Sequence, residues 1–327
     1  MKKSFFTIGL SMATAAILSA APAFAEWPDK PVRLVISFAP GGGMDQSVLP
    51  LKPLLDEKLG QPVLFDYRAG AGGRIGFEQV YMNGADGYVI GALSEPHFSN
   101  STVFDTPRYA IDDMVPVGMF SSDVPIWFVH KDSPYQTLED LIEAARETPG
   151  EITVATGSFT GEQYLSLAIL EEQAGVTFRA VNVGGGGPVM TNVLGGHMDA
   201  GVIRPASILG IKDEVRGLAV LGAERNSNFP DVPTFDEQLS DDIRIPHLSS
   251  SRGFMVHRSF AENNPEGFAR LETAVYEAVH SEAYADALER MGLELTWVPS
   301  DEAAEAIRAT AASMEQYREL VEAAAER

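Results

Sequence analysis

The sequence predicts an α/β protein of two domains, each a mainly parallel sheet flanked by helices. Three observations lead there. The chain has 327 residues, about twice the usual single-domain length. Its hydrophobic content of 45% is too high for a disordered chain. Short apolar runs alternate with segments of helical period through most of its length, as in sheets covered on both faces.

The first 25 residues stand apart. Lys2 and Lys3 precede an apolar stretch from Phe5 to about Ala21, and Ala23-Phe24-Ala25 puts small residues where a signal peptidase reads. Residues 1–25 are therefore expected to be a cleaved signal peptide, with the remainder delivered to the periplasm. A retained anchor is the alternative, but the stretch is broken by Ser and Thr and no charged stop follows. The chain contains no cysteine, so no disulfide framework, thiolate metal site or cysteine nucleophile is available. With 24 Lys+Arg against 46 Asp+Glu the net charge is -22, which repels a phosphate backbone and sets nucleic acid aside as a partner.

After residue 25 the elements follow in order. Val32 to Phe38 reads as a strand, Ala39-Pro40-Gly41-Gly42-Gly43 as a loop, and Asp45 to Leu59 as a helix with Asp45 as its N-cap. Pro50 and Pro53 lie inside that helix, and each costs about 3 kcal/mol in a regular interior, so a kink or late start is expected. Strand Pro62 to Tyr67, loop Arg68 to Gly73, helix Ile75 to Met82 and strand Tyr88 to Leu93 follow. Further on come strand Pro125 to His130, helix Thr137 to Glu147, strand Ile152 to Thr156, helix Gly161 to Ala174 and strand Phe178 to Val183. A glycine loop from Gly184 then opens a helix to about Leu194, before strands Ala200 to Arg204 and Leu218 to Gly222.

The C-terminal third holds strand Gly253 to His257, a helical stretch from Pro265 to Met291, strand Leu293 to Val298 and a helix from Asp301 to the end. Two layers of helix with so few strands cannot form a separate sheet domain, so this third is expected to return to the first sheet. The expected organisation is domain 1 from residues 26–120 and 230–327, discontinuous, and domain 2 from 121–229. Crossovers fall near Val115 to Ser122 and Gly222 to Phe235.

Three glycine-rich loops, each between a strand and a helix, are the main functional signal: Gly41 to Gly43, Gly70 to Gly73 with Ala71 and Gly72 at its centre, and Gly184 to Gly187. Such loops let backbone N–H groups approach a ligand, and the following helix adds its positive end, so the natural guest is an anion. One helix terminus contributes about 0.3–1 kcal/mol when exposed and up to about 2 when partly buried. Several must converge, with charge-assisted hydrogen bonds, to reach about -8 kcal/mol, a micromolar affinity. Neither the phosphate loop GxxxxGK[ST] nor the dinucleotide fingerprint is present, because Ile75 stands where the third glycine is needed. The six histidines show no HExxH and no metal spacing, and Gly157-Ser158-Phe159-Thr160-Gly161 is not a nucleophile elbow. No metal, cofactor or catalytic residue is expected. His97 lies near a strand end and is the histidine candidate for ligand contact. Arg74 and Arg204 are candidate carboxylate partners, each with a salt bridge to one of the many acids as the alternative.

The residues then resemble a family. Trp27-Pro28-Asp29-Lys30-Pro31-Val32-Arg33-Leu34-Val35, Phe38-Ala39-Pro40-Gly41-Gly42-Gly43-Met44-Asp45, Leu59-Gly60-Gln61-Pro62-Val63, Arg68 to Gly76 and Asp86-Gly87-Tyr88 are similar in order and spacing to the extracytoplasmic solute receptors of tripartite tricarboxylate transporters. Gly185-Gly186-Gly187-Pro188 and Leu194-Gly195-Gly196-His197-Met198-Asp199 continue the match. The resemblance implies a two-domain periplasmic binding protein of the Venus-flytrap kind that closes on a small carboxylate and hands it to membrane permease subunits. It also implies that the loops Pro40 to Asp45 and Gly185 to Pro188 hold a ligand carboxyl group. Thr156, Gly157 and Ser158 resemble another lining loop, and Ser94 to His97 falls where the family lines its cleft.

Two departures from the family bear on the ligand. Asn182, Val183 and Gly184 stand where the family usually has Pro-Tyr-Lys, and Ser251-Arg252-Gly253 replaces an aromatic-glycine pair. Arg204 is then a source of the charge that the lysine no longer brings, and Phe159, Met44 and His97 could shape the distal end of the site. The expected function is a monomeric periplasmic receptor, not an enzyme, for a di-, tri- or aromatic carboxylate. A receptor for a sensor kinase is the alternative, with a secreted hydrolase behind it.

Overall fold

A computed structural model of the chain describes residues 26–157, 161–239, 243, 245, 249–293 and 295–320. The expected signal peptide lies outside them. Among the described residues no helix is long and apolar enough to cross a membrane.

The first run of elements is β1 (Val32–Ile36), α1 (Gly43–Val48), α2 (Leu51–Leu59), β2 (Val63–Tyr67), α3 (Arg74–Asn83), β3 (Val89–Glu95), α4 (His97–Phe104) and β4 (Met114–Asp123). The two prolines resolve their conflict by position. Pro50 is the N-cap between α1 and α2, and Pro53 is the third residue of α2, where its missing N–H had no intrahelical partner to lose.

The second run is β5 (Ile126–His130), α5 (Leu138–Glu147), β6 (Thr153–Thr156), α6 (Glu162–Ala174), β7 (Arg179–Asn182), α7 (Gly186–Leu194), β8 (Ala200–Ile203), α8 (Pro205–Ile208) and β9 (Val215–Val220). Thr137 caps α5, its side chain accepting from the Asp140 amide. The last run is α9 (Phe235–Gln238), β10 (Ser250–His257), α10 (Arg258–Asn263), α11 (Pro265–Val279), α12 (Glu282–Arg290), β11 (Leu295–Pro299) and α13 (Ser300–Gln316). The long helical stretch expected from Pro265 to Met291 is two helices, because Ser281 caps α12 and restarts the chain there.

Two sheets result, of order β11-β4-β10-β3-β1-β2 and β7-β6-β8-β5-β9. The pairings β1 with β2 and β3, and β6 with β7 and β8, are parallel. Strands β10 and β11 run against the others in the first sheet, and β5 runs against the others in the second. Each sheet therefore keeps one dominant strand direction with a reversed insertion, and helices cover the faces. Leu34, Ile90, Phe120 and Phe254 anchor the interior on the first sheet, and Trp127, Leu141, Leu165 and Val202 that on the second.

One element corrects the sequence reading. Val115 to Ser122, expected as a crossover, lies within strand β4, between β10 and β11. Pro116 and Gly118 disguise it, since neither suits a regular central strand. Both sit at or beside register shifts opposite β10, and the Trp297 ring covers Gly118 where a Cβ would stand. The chain therefore crosses to the second sheet through Val124 and Pro125 alone. It returns between β9 and β10.

Candidate functional site

Where the carboxyl ends of β1 and β3 face those of β6 and β8, the chain encloses a cavity of about 450 Å³. Gly43, His97, Glu162 and Gly186, the first residues of α1, α4, α6 and α7, all line it. Four helix starts at one hollow give it a positive field from the backbone alone. The three glycine loops supply much of the wall: Gly42 and Gly43, Gly70, Gly72 and Gly73, and Gly184 to Gly186.

The first loop is held by Asp45. This residue is not the N-cap expected from the sequence: Gly42 occupies that position and makes no side-chain cap. Asp45 is the third residue of α1, in its first turn, and its carboxylate reaches back to accept from the Gly41 amide at 2.7 Å. Its other oxygen accepts from the Tyr67 hydroxyl of β2 at 2.6 Å. Burial, then that bond and the charge of Asp45, push the Tyr67 hydroxyl up to about 12.

Of the residues singled out in the sequence, Gly42, Gly43, Met44, Gly72, Ser94, His97, Gly157, Gly186 and Arg204 line the cavity. Pro40, Gly41, Asp45, Ala71, Thr156, Gly187 and Pro188 stand behind or beside that wall and do not line it. Ser158 and Phe159 lie outside the described residues. Arg74 is engaged elsewhere, 2.9 Å from Glu78 and 3.6 Å from Asp105.

Sequence reasoning passed over Arg252 and Glu162 as site residues, and both line the cavity. Arg252 lies in β10 between Ser94 of β3 and Ser121 of β4, is 4% exposed, and its Nη1 has no hydrogen-bond partner. Arg252 follows three serines and precedes the apolar stretch Gly253 to Val256, so the local sequence carries no signal for it. Glu162 opens α6, is 1% exposed, and its Oε2 is unpartnered. Gln163 beside it accepts from the Gly157 amide at 3.1 Å, which fixes the loop after β6.

The charges of the site are perturbed chiefly by burial. Burial lowers the Arg204 guanidinium from its usual range, while Asp123 and Glu162 act to raise it. Burial pushes the Asp123 carboxyl up to about 7, against the pull of Arg204 and of the Val124 amide. The Glu162 carboxyl is also raised by burial, with its own amide and Arg204 opposing. Burial, followed by the charge of Arg204, presses His97 down to about 4, so its ring is neutral near neutral pH. Ser94 Oγ lies 3.4 Å from its Nδ1, and the Phe38 ring meets it edge-on at 5.2 Å. No ion pair within 4.0 Å joins Arg204 or Arg252 to an acid among the described residues. Two cations without close partners, under converging helix ends, can hold an anion by charge-assisted hydrogen bonds. No group of three metal-binding side chains occurs among the described residues.

A second cavity, of about 400 Å³, lies under α13 on the first sheet. It contains none of the glycine loops, and its two arginines, Arg258 and Arg308, are both drawn to Asp112.

Comparison with known proteins bears on this geometry. The model of the tripartite tricarboxylate transporter family receptor matches residues 51–324. Protein BugT of Bordetella pertussis is 30% identical over 299 residues, covering 89% of this chain and 89% of BugT. Among solved structures, MatC from Rhodopseudomonas palustris with bound malate has a TM-score of 0.77 at 20% identity, covering 90% of this chain and 100% of that one. Another R. palustris protein, solved with adipate, has a TM-score of 0.79 at 24% identity, covering 90% of this chain and 98% of that one. These two likenesses speak to the fold.

Proposed function

The chain belongs to the tripartite tricarboxylate transporter receptor family, and from that membership we propose that it is a periplasmic receptor for a small organic carboxylate. In this reading it acts without covalent chemistry, as a monomer, and delivers its ligand to the membrane permease subunits. The two sheets are the cores of two lobes, with residues 1–25 removed on export. Closure brings Arg204 of the second lobe against the loop after β1 of the first. Only the closed form lets both lobes grip one ligand, so the ligand favours closure by its differential affinity.

The observation that carries this reading is the pairing of Arg204 and Arg252. They come from opposite sheets, line one cavity with the glycine loops, and engage no acid within ion-pair distance among the described residues. Malate in MatC and adipate in the second R. palustris protein support the ligand class. The test is calorimetric titration of the purified protein with a panel of carboxylates. At least one should bind, and Arg204→Ala should weaken it by about 1.5–3 kcal/mol. A protein that binds no carboxylate, but turns over an ester or amide, would overturn the reading.

A further inference from the structure

The second cavity, under α13, joins an apolar wall to a negative charge that its own residues leave unanswered. The wall reaches into the core: Leu93, Phe98, Met114, Met255 and Ile307 line it, and all five are buried. Open space beside such side chains forfeits contacts that an apolar guest restores, and water finds few partners against them.

Three carboxyl groups, of Asp112, Glu272 and Asp301, and two guanidinium groups, of Arg258 and Arg308, complete the lining. Both cations are already engaged. Arg308 lies 2.8 Å from Asp112, and Arg258 stands 3.8 Å from Asp112 and 3.7 Å from Glu262. The carboxyl groups of Glu272 and Asp301 make no hydrogen bond or ion pair among the described residues. Asp301 has a local reason for its place, in the first turn of α13, where the positive helix end favours an acid. Glu272 has none, for it sits half-buried in the middle of α11. Burial, then the charge of Asp301, raise its carboxyl above the usual range. A positive group on a guest would relieve both causes.

These requirements select among guests. An inorganic cation would leave the apolar wall uncovered, and no group of three metal-binding side chains occurs among the described residues. An anion would meet two uncompensated acids, and a neutral apolar guest would leave them uncompensated. We propose that this cavity binds an organic cation, an amine whose apolar body lies against Phe98, Met255 and Ile307 and whose ammonium group turns to Glu272 and Asp301. The site is separate from the glycine-loop cavity and does not depend on the carboxylate reading.

The test pairs amines with their uncharged counterparts, benzylamine with benzyl alcohol, cyclohexylamine with cyclohexanol and hexylamine with hexanol, by calorimetry on the purified protein at neutral pH. At least one amine should bind, about tenfold or more tightly than its alcohol. Glu272→Gln should weaken that amine about tenfold and leave the alcohol unchanged. Ala304→Phe, which places a ring in the cavity from α13, should block the amine. Should either variant fail to fold, the wild-type comparison and the other variant still decide. Binding of no amine, or of amine and alcohol alike, would overturn the proposal. So would an amine that Glu272→Gln or Ala304→Phe leaves bound as tightly as in the wild type.

Discussion

The guanidinium of Arg204 lies against the α-carbon of Gly43, so closely that a Cβ on Gly43 would stand 1.7 Å from Nη2. The two residues belong to opposite sides of the cavity, Gly43 at the start of α1 and Arg204 just before α8. The absence of a side chain at residue 43 is therefore what seats the cation. Gly43→Ala should evict the guanidinium without unfolding the chain, because the colliding atom is the free end of a long side chain. Carboxylate affinity should fall about ten- to a hundredfold, as for loss of a charged hydrogen bond, with the melting temperature nearly unchanged. Calorimetry and a thermal melt on the same variant check this, and wild-type affinity would show that Arg204 needs no such seat.

Arg252 makes the opposite trade. A buried guanidinium with an unpartnered Nη1 carries a desolvation penalty that no ion pair among the described residues offsets. Arg252→Met, similar in length and apolar, should raise the stability of the ligand-free protein by about 1–3 kcal/mol in denaturant melts. It should abolish carboxylate binding. A variant that is less stable and still binds would mean that Arg252 holds the strand rather than the ligand.

The Tyr67 hydroxyl secures the first glycine loop at one remove, through Asp45 to the Gly41 amide. Tyr67→Phe leaves one oxygen of a buried carboxylate unpaired and should destabilise the protein by about 1.5–3 kcal/mol. The loop should also loosen, so affinity is expected to fall even though residue 67 does not line the cavity. Urea melts give the first quantity and titration the second. Loss of stability with intact affinity would separate the loop's order from its function.

Much of this arrangement was legible in the sequence, and the exceptions have physical causes. Val32 to Phe38 followed by three glycines and a helical period announced a strand, a close-approach loop and a helix end, and the cavity wall at Gly42, Gly43 and Met44 follows from that. His97 stood out because a strand ended just before it. Strand β4 was hidden because Pro116 and Gly118 are tolerated only beside register shifts, and a shift depends on the partner strand, which is distant in sequence. Asp45 read as a cap because local spacing cannot distinguish a first-turn acid that reaches back from one that starts the helix. Glu162 and Arg252 are ordinary by local rules, an acid at a helix start and a base in a strand. Their meaning comes from being buried in one cavity, which needs both sheets.

Stability should fall as pH rises between about 6.5 and 8 in the ligand-free protein, and buried carboxyls are the reason. Glu95 at the end of β3 is pushed up to about 8 by burial, against the pull of the Ser99 hydroxyl and amide. Asp123 stands at about 7. Both pKa values are raised by folding, so these groups stabilise the native state fully at low pH and lose that contribution as pH rises through the folded values. His97 has the reverse sign: its folded value near 4 lies below the ordinary 6.5, so its contribution is complete above 6.5 and is lost as pH falls. Above pH 6.5 the histidine is neutral in both states and no longer offsets the acids. The slope should approach about 1.4 kcal/mol per pH unit for each proton held only by the native state. Glu95→Gln preserves the acceptor for Ser99 and removes the titration, so it should flatten the dependence and leave the protein more stable than wild type at pH 8. Denaturant melts at three pH values across the window measure it. Wild-type stability that rises with pH there, or a slope untouched by Glu95→Gln, would contradict the assignment of Glu95 as the protonated buried acid.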